Sequence, residues 1–453
     1  MRATVVERAW RTLEGRPVPP QAIQWLARRL EARGPSSLPP DLIRQVQRLR
    51  LQRTMHYVNS HSPFYRELLR RHGVRPADIR DLADMARLPC TTSDDLRDWR
   101  RFQCVPDEGI RAVFTTSGST GQPKRITFTG RDLHTLANWA AFSLRIGHPG
   151  RLWALIALPV EHGLWIGAAS AARAVERAGG LPLPVGAGDP ARALDWLRRF
   201  EPDLVISSPS YMTALTREAE RQACRPRLSQ ILLSGEMLSA DQKRYFSQVW
   251  GALVLDAYGT TEMGGAQAIA LPGCLAFSLN DLGLAVEIVD PRSGAPADEG
   301  ELVFTTLARQ AMPLVRYRSG DRARWAGCPC GLPLHSLQIL GRLDDMLVAG
   351  DMNLHGQAIA DQVARLPGAT GRVELALDKV ALTDRLRLRV EGHGLEAPAI
   401  QRALAEAYPE LPDRLRHGLL ILEIETGADL GGQLKPFKIV DRRARRPPDQ
   451  AQA

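Results

Sequence analysis

LWALIALPV (residues 152–160), PDLVISSPS (202–210), SQILLSG (229–235) and GALVLDAYG (251–259) are short apolar runs. Between them DPARALDWLRRF (189–200) and SADQKRYFSQVW (239–250) carry apolar residues at helical spacing. Strands alternating with amphipathic helices predict βαβ units around a mostly parallel sheet, an α/β fold. Upstream, IQWLARRLEAR (23–33) and LIRQVQRLRLQRTMHYV (42–58) read as scaffold helices broken by GPSSLPP (34–40), and the first hundred residues are expected to be helical. Downstream of residue 265 the texture changes to strand-like pieces with Gly/Pro turns, as in LAVEIVDPRSGAPADEGELVFTTL (284–307), which predicts a β-rich subdomain. Past Gly341 a small α+β unit is expected, with strands near VELALD (373–378), RLRLRVEG (385–392) and GLLILEIE (418–425) and a helix near PAIQRALAEAY (398–408).

The chain has 453 residues, enough for two or three domains at ~150 residues each. Its 44% hydrophobic and 24% charged residues are those of a globular protein and argue against disorder. The longest nearly apolar run, Leu152 to Val160, is too short to cross a bilayer, and the opening MRATVVERAWRTLEGRP has no apolar core, so neither a membrane span nor a leader is read. A cytoplasmic location is the expectation.

The net charge of +9 suggests a nucleic-acid binder at first sight. However, only five of the 59 basic residues are lysine, and the arginines are spread along the chain beside acids, as in RDLADMARL (80–88) and LTDRLRLRVEG (382–392). They form no stripe, so no nucleic acid is expected. The one basic run, Arg442, Arg443, Arg445 and Arg446, precedes PPDQAQA and reads as a frayed tail over 443–453. In so arginine-rich a chain, a retained lysine marks a position that wants a compact ammonium. The six cysteines do not suggest a disulfide framework; Cys328 and Cys330 in CPC, with Cys274 upstream, are either free thiols or metal ligands.

The sharpest feature is TTSGSTGQPK (115–124), entered from AVF and left by RITF. Gly118 and Gly121 let backbone N–H groups converge on phosphate oxygens, Thr116, Ser117, Ser119 and Thr120 add hydroxyls, and Lys124 adds a cation. The spacing is not that of a P-loop, and the segment lies between strands instead of opening a helix.

This loop resembles the TSGSTGxPK segment of the adenylate-forming superfamily, and the chain is similar to its phenylacetate-CoA ligase branch. NSHSPFYRELL (59–69), PDLVISSPSYMTAL (202–215), SGEMLSADQ (234–242), DAYGTTEMGG (256–265), VRYRSGDRARW (315–325), GRLDDML (341–347) and KPFKIVDR (435–442) carry the likeness in order. The resemblance implies an acid–thiol ligase: ATP and a carboxylic acid give acyl-AMP and pyrophosphate, then a pantetheine thiol takes the acyl group. It implies a large N-terminal adenylation domain over 1–340, a hinge at 341–345 with Asp344, and a mobile C-terminal domain over 346–442.

The resemblance also implies the site. The loop 116–121 with Lys124 would hold the leaving pyrophosphate, Glu262 would ligate Mg2+, and Thr261 would bond the α-phosphate. Tyr258 and Asp256, with Gly259, would take the adenine, Asp321 the ribose hydroxyls beside Arg342, and Gly235 and Glu236 would form the nucleotide-side turn. Lys435 would bridge the attacking carboxylate and the α-phosphate. His162, Trp165, Tyr211, Gly264 and Gly265 are the candidates for the acid pocket, with an aryl or arylacetic acid such as a hydroxybenzoate implied.

Two places depart from the family pattern. After the hinge, DDMLVAGDMNLHGQAIA (344–360) moves the glycine to 350 and sets His355 and Gly356 where the ligases have Phe-Pro. This leaves two acceptors open, CoA or the phosphopantetheine of an acyl carrier protein, and also a nucleotide-binding homologue that transfers to no thiol. Some relatives build a structural zinc site from a Cys, a His and CxCG; here Cys274 and CPCG remain but the expected His is missing, with His335 the nearest substitute. A homodimer is a further implication of the family.

Overall fold

The computed structural model describes residues 40–116, 124–146, 150–160, 163–271, 273–274, 276–307, 309–330, 332–343, 346–430 and 436–443. Helix α1 (Pro40–His61) buries Leu42, Ile43, Val46, Leu51, Met55 and Val58 at helical spacing, and Gln47 Nε2 and Thr54 Oγ1 donate to the carbonyls of Leu284 (2.9 Å) and Leu307 (3.2 Å). Helix α2 (Pro63–Arg71) is capped by Ser62, whose hydroxyl accepts from Tyr65 N. The expected run of helices stops there: residues 76–109 form only short 3-10 turns, because Pro76, Pro89 and Pro106 and paired aspartates punctuate the segment.

Strands β1 (Ala112–Thr115) and β2 (Arg125–Phe128) form an antiparallel hairpin. There follow helix α3 (Gly130–Arg145), β3 (Trp153–Ala157), α4 (Ile166–Arg177), β4 (Leu181–Pro184), α5 (Pro190–Phe200) and β5 (Leu204–Ser207). Then come α6 (Pro209–Arg221), β6 (Gln230–Ser234), α7 (Ala240–Trp250) and β7 (Leu253–Thr260). Side-chain oxygens start these helices: Thr129 and Asp132 make a capping box on α3, Asp189 and Ser208 cap α5 and α6, and Ser239 and Gln242 make a second box on α7.

Strands β8 (Gly265–Ala270), β9 (Phe277–Leu279), β10 (Leu284–Val289), β11 (Glu299–Thr306), β12 (Tyr317–Trp325) and β13 (Ser336–Arg342) complete the large lobe. Among the described residues they extend one eleven-stranded sheet, in the order β10-β11-β12-β13-β9-β8-β7-β6-β5-β3-β4. The β-rich segment is therefore not a separate sheet. It hydrogen-bonds onto the parallel set through β7, which runs parallel to β6 and antiparallel to β8.

The C-terminal lobe contains the hairpin β14 (Met346–Ala349) and β15 (Met352–His355), then α8 (Gly356–Val363), β16 (Ala369–Val380) and β17 (Thr383–Gly392). Helices α9 (Ala397–Ala407) and α10 (Leu411–Arg416) and strands β18 (Leu420–Thr426) and β19 (Phe437–Asp441) follow. The sheet order is β18-β17-β16-β19, over a core that includes Leu375, Leu386, Leu388, Ile400 and Leu404. Arg443 does not belong to a frayed tail: its buried guanidinium donates to Val348 O (2.7 Å) and pairs with Asp384 (3.0 Å). Other arginines also pair with acids, some one turn away, such as Arg97 with Asp94 and Arg416 with Asp413 (both 2.9 Å), and others between strands, such as Arg385 with Asp378 (2.9 Å), which neutralises part of the charge locally. No described helix is long and apolar enough to cross a membrane.

One carboxylate ties the start of α3 to the segment 310–311. Asp132, 2% exposed, accepts from the N–H groups of Thr129 (2.8 Å), Gln310 (2.6 Å) and Ala311 (3.0 Å). Asp132→Ala would leave these donors without an acceptor and should destabilise the protein by about 3 kcal/mol, read as a lowered midpoint in chemical denaturation. An unchanged midpoint would mean that water replaces the carboxylate at no cost.

Candidate active site

The ends of the phosphate-type loop are fixed by the β1–β2 hairpin: Thr115 pairs with Arg125, and Thr116 N donates to Lys124 O (3.1 Å). Ser117, Gly118, Ser119, Thr120 and Gly121 lie outside the described residues. The hydroxyl of Thr116 is buried and has no hydrogen-bond partner among the described residues. Lys124 Nζ stands 3.7 Å from Glu262 Oε1, which also accepts from Tyr317 Oη (3.1 Å). Glu262 is 8% exposed, so a carboxylate is held beside the neck of the loop with a cation and a phenol as partners.

The turn that carries Glu262 is clamped from behind. Arg309 donates from both terminal nitrogens, to Glu262 O and Met263 O (both 2.6 Å), and its guanidinium lies 4.8 Å over the Phe128 ring. Desolvation pulls this arginine down to about 10, against the opposing pull of Asp132 and Glu262. Gly264 is required by the clamp: a Cβ there would lie 2.7 Å from Leu136 and 2.8 Å from the Arg309 guanidinium, at φ +99°. Gly264 thus serves packing, whereas Gly265 lines the main cavity. Thr261 also lines it.

Strand β7 supplies the next residues. Tyr258 Oη donates to Asp321 Oδ2 (2.6 Å), and Arg342 donates to Asp321 Oδ1 (3.0 Å) because the β12–β13 register sets Arg342 opposite Asp321. Burial, then the Asp321 charge, pushes the Tyr258 phenol well up. The Tyr258 ring is 5.9 Å from that of Phe277. Asp256 is pushed up to about 7 by burial, which the Lys243 ammonium opposes. The missing side chain of Gly259 lets β8 cross closely: a Cβ there would meet Gly265 O at 2.0 Å.

Gly235, at φ +90°, and Glu236 form the turn between β6 and α7. The Glu236 carboxylate accepts from Ser210 N (2.8 Å) of the large lobe and from Asp351 N at the tip of the β14–β15 hairpin, so it bridges the two lobes. Burial, then Asp384, raises its pKa. Trp165, just ahead of α4, lines the cavity. Tyr211 does not: it is 1% exposed and packs in the core with Phe246 and Leu233. His162, Asp344 and Lys435 fall outside the described residues.

These groups surround one cavity of about 1710 Å³. Its lining combines polar side chains, among them Lys124, Glu262, Asp321 and Arg342, with apolar ones, among them Trp139, Leu158, Trp165, Ala171, Ile206 and Leu232. It opens where the parallel strands end beside the antiparallel ones, the position at which open α/β sheets hold ligands. Arg309, Tyr317 and Lys243 were not picked out from sequence. Tyr317 sits inside the VRYRSGD segment and could have been, but nothing local marks Arg309, whose partners are 46 and 47 residues away.

Cys328 Sγ lies 3.3 Å from Cys274 Sγ and 2.7 Å from Cys330 Sγ, with Ser278 Oγ 3.6 Å from Cys330. Burial, then Cys328, pushes the Cys274 thiol up to about 12. His335 is turned to Asp281 (3.0 Å). Among the described residues the cluster offers three Cys, His, Asp or Glu donors. That is one short of a closed tetrahedral zinc site, and no role is derived through zinc.

Residues 66–308 match the family described as AMP-binding enzyme. The chain is 30% identical over 366 residues to the phenylacetate-coenzyme A ligase of Escherichia coli K12, covering 78% of this chain and 83% of that one. It is 31% identical over 364 residues to the phenylacetate-coenzyme A ligase of Pseudomonas putida, covering 78% and 82%. Among solved structures, 2-hydroxyisobutyryl-CoA ligase with 2-HIB-AMP and CoA in the thioesterification state superposes with a TM-score of 0.76 at 26% identity, covering 90% and 91% of the two chains. The same ligase in the postadenylation state with 2-HIB-AMP gives 0.63 at 25% identity, covering 92% of each.

The Asp256 carboxyl makes the nucleotide-free protein sensitive to pH. Its pKa is raised from 3.8 to about 7, so the stability due to the neutral form is fully present below about pH 4 and is lost as pH rises through 7. Asp256→Asn should therefore melt higher than the parent at pH 8, with the gap closing toward pH 5. Parallel melting-temperature profiles for the two proteins would refute the assignment.

Proposed function

Since the chain belongs to the AMP-binding enzyme family, as an adenylate-forming acid–thiol ligase similar to phenylacetate-CoA ligases, we propose that it activates an aryl or arylacetic acid and passes it to CoA. The observation that carries this reading is the Lys124–Glu262 pair at the neck of the 117–123 loop, facing the Tyr258–Asp321–Arg342 cluster across one cavity. Adenylation needs positive charge and donors on the β- and γ-phosphates, so that the pyrophosphate leaves as the acid carboxylate attacks the α-phosphate in line. Lys124 and the loop hydroxyls of Thr116, Ser117, Ser119 and Thr120 supply these in our reading.

Glu262 is the group suited to hold Mg2+: it is an oxygen ligand, nearly buried, on a turn fixed by Arg309. Bound there, the cation would neutralise phosphate charge. Tyr258 gives the adenine a flat ring, and Asp256 an acceptor for its amino group. Asp321, which accepts from Tyr258 and Arg342, is assigned to the ribose hydroxyls. Thr261 and Lys435 are assigned to the α-phosphate and the attacking carboxylate, and Asp344 to the hinge between lobes 1–340 and 346–442.

The apolar part of the lining, which includes Trp139 and Trp165, supports an acid with a flat or apolar body. The names of the relatives, which include 4-chlorobenzoate and 4-coumarate CoA ligases, point the same way. CoA is preferred over a carrier protein because the similarity to a CoA-bound ligase in its thioester-forming state is spread over most of the chain.

The test is pyrophosphate release with a panel of aryl, arylacetic and short aliphatic acids, followed by thioester formation with CoA or with a holo carrier protein. Aryl acids with CoA should turn over best; turnover confined to carrier protein would replace CoA as acceptor, and turnover confined to aliphatic acids would replace the aryl reading. Lys124→Ala should slow adenylation by roughly a hundred- to a thousand-fold, the usual loss when one transition-state donor is removed.

A further inference from the structure

The tip of the β16–β17 hairpin is strained. Val380 pairs with Thr383, so the loop is the two residues Ala381 and Leu382, and both have positive φ, +46° and +73°. Two-residue hairpin loops with this backbone are normally Asn-Gly or Asp-Gly, because a Cβ disfavours the left-handed region. Such a conformation persists only where the surroundings over-determine it.

Here the surroundings are the other lobe. Arg217 of α6 donates to Thr383 Oγ1 (2.6 Å) and to Ala381 O, and Gln242 of α7 donates from Nε2 to Leu382 O (3.1 Å). The carbonyls of both strained residues are thus held by side chains of the large lobe. Just inside, Asp384 is riveted by Lys379 (2.8 Å) and Arg443 (3.0 Å), which stiffens the hairpin end that is grasped. Alongside, the Asp351 N–H reaches Glu236 of the large lobe, again from a non-glycine residue at positive φ, +65°. Neither Arg217 nor Gln242 lines the cavity.

The lobe arrangement that these contacts accompany resembles one state more than another. Against the same 2-hydroxyisobutyryl-CoA ligase the TM-score is 0.76 for the thioesterification state and 0.63 for the postadenylation state, at similar coverage. Contacts made in one of two lobe arrangements shift the population toward it by their differential free energy.

We propose that Arg217 and Gln242 are positioning residues for thioester formation: they grasp the Ala381–Leu382 tip and hold the C-terminal lobe in the thiol-accepting arrangement. This rests on the two-step ligase reading. Adenylation does not require the grasp, since it takes place in the other arrangement.

The experiment separates the half-reactions in the full-length protein, with a turned-over acid, ATP and CoA. Pyrophosphate release is followed in one arm, and CoA-dependent consumption of preformed acyl-AMP in the other. Arg217→Ala should keep adenylation within about two-fold of the parent and slow thioester formation by about ten-fold, the effect of one or two net hydrogen bonds. Gln242→Glu keeps the oxygen that completes the α7 capping box but removes the donor to Leu382 O, and should show the same split. Arg217→Lys should recover part of the transfer rate. Equal loss in both half-reactions, or no loss in either, would overturn the proposal. Absence of pyrophosphate release by the parent with every acid would overturn the ligase reading and this inference together.

Discussion

The buried guanidinium of Arg309 is the constraint on which the catalytic half of the large lobe depends. A desolvated arginine must spend its donors on fixed acceptors, and here they fall on two successive carbonyls of the turn bearing Glu262. Asp132, close enough to favour its charge, also caps α3 and binds the two N–H groups that follow Arg309. One ionic network therefore fixes the turn after β7, the segment 309–311 and the start of α3 against one another. Gly264 follows from the same geometry, since any side chain there would displace the guanidinium.

The sheet positions the chemistry around this network. Strand β7 is parallel on one side and antiparallel on the other, so its C-terminal end faces both the βαβ half and the β-rich half. The first brings Glu236, Lys243 and the apolar wall; the second brings Tyr317, Asp321 and Arg342. Both halves of the sheet thus contribute to the lining of one cavity, which combines charged and apolar side chains. The registered pairing of β12 with β13 is what brings a carboxylate and a guanidinium together at 321 and 342.

Strain is concentrated where the lobes meet. Asp351, Ala381 and Leu382 are non-glycine residues in the left-handed region, and each has a backbone group bonded across the interface. The departure from the family's post-hinge sequence falls on one of these points: Gly350-Asp351 is the turn whose N–H meets Glu236. Glu236, expected at the nucleotide-side turn, lines the cavity and also accepts this N–H from the C-terminal lobe.

The sequence by itself determined the α/β class, the helices between 189 and 250 and the C-terminal α+β unit, because local periodicity is carried by neighbouring residues; Lys124, Glu262, Tyr258 and Asp321 were named by family resemblance, and the structure sets all four in the lining of one cavity. The lysines retained in this arginine-rich chain divide: Lys124 and Lys243 line the cavity, whereas Lys379 and Lys438 make ion pairs with Asp384 and Glu374. Only the tertiary structure decided that the β-rich segment extends the same sheet, that Arg443 is buried and Tyr211 is core, that Arg309 holds the Glu262 turn, and that Arg217 and Gln242 grasp a hairpin more than a hundred residues away. The physical reason is common to all of these: they are contacts of long sequence separation, set by burial and strand register, and no local pattern encodes the partner of a buried charge.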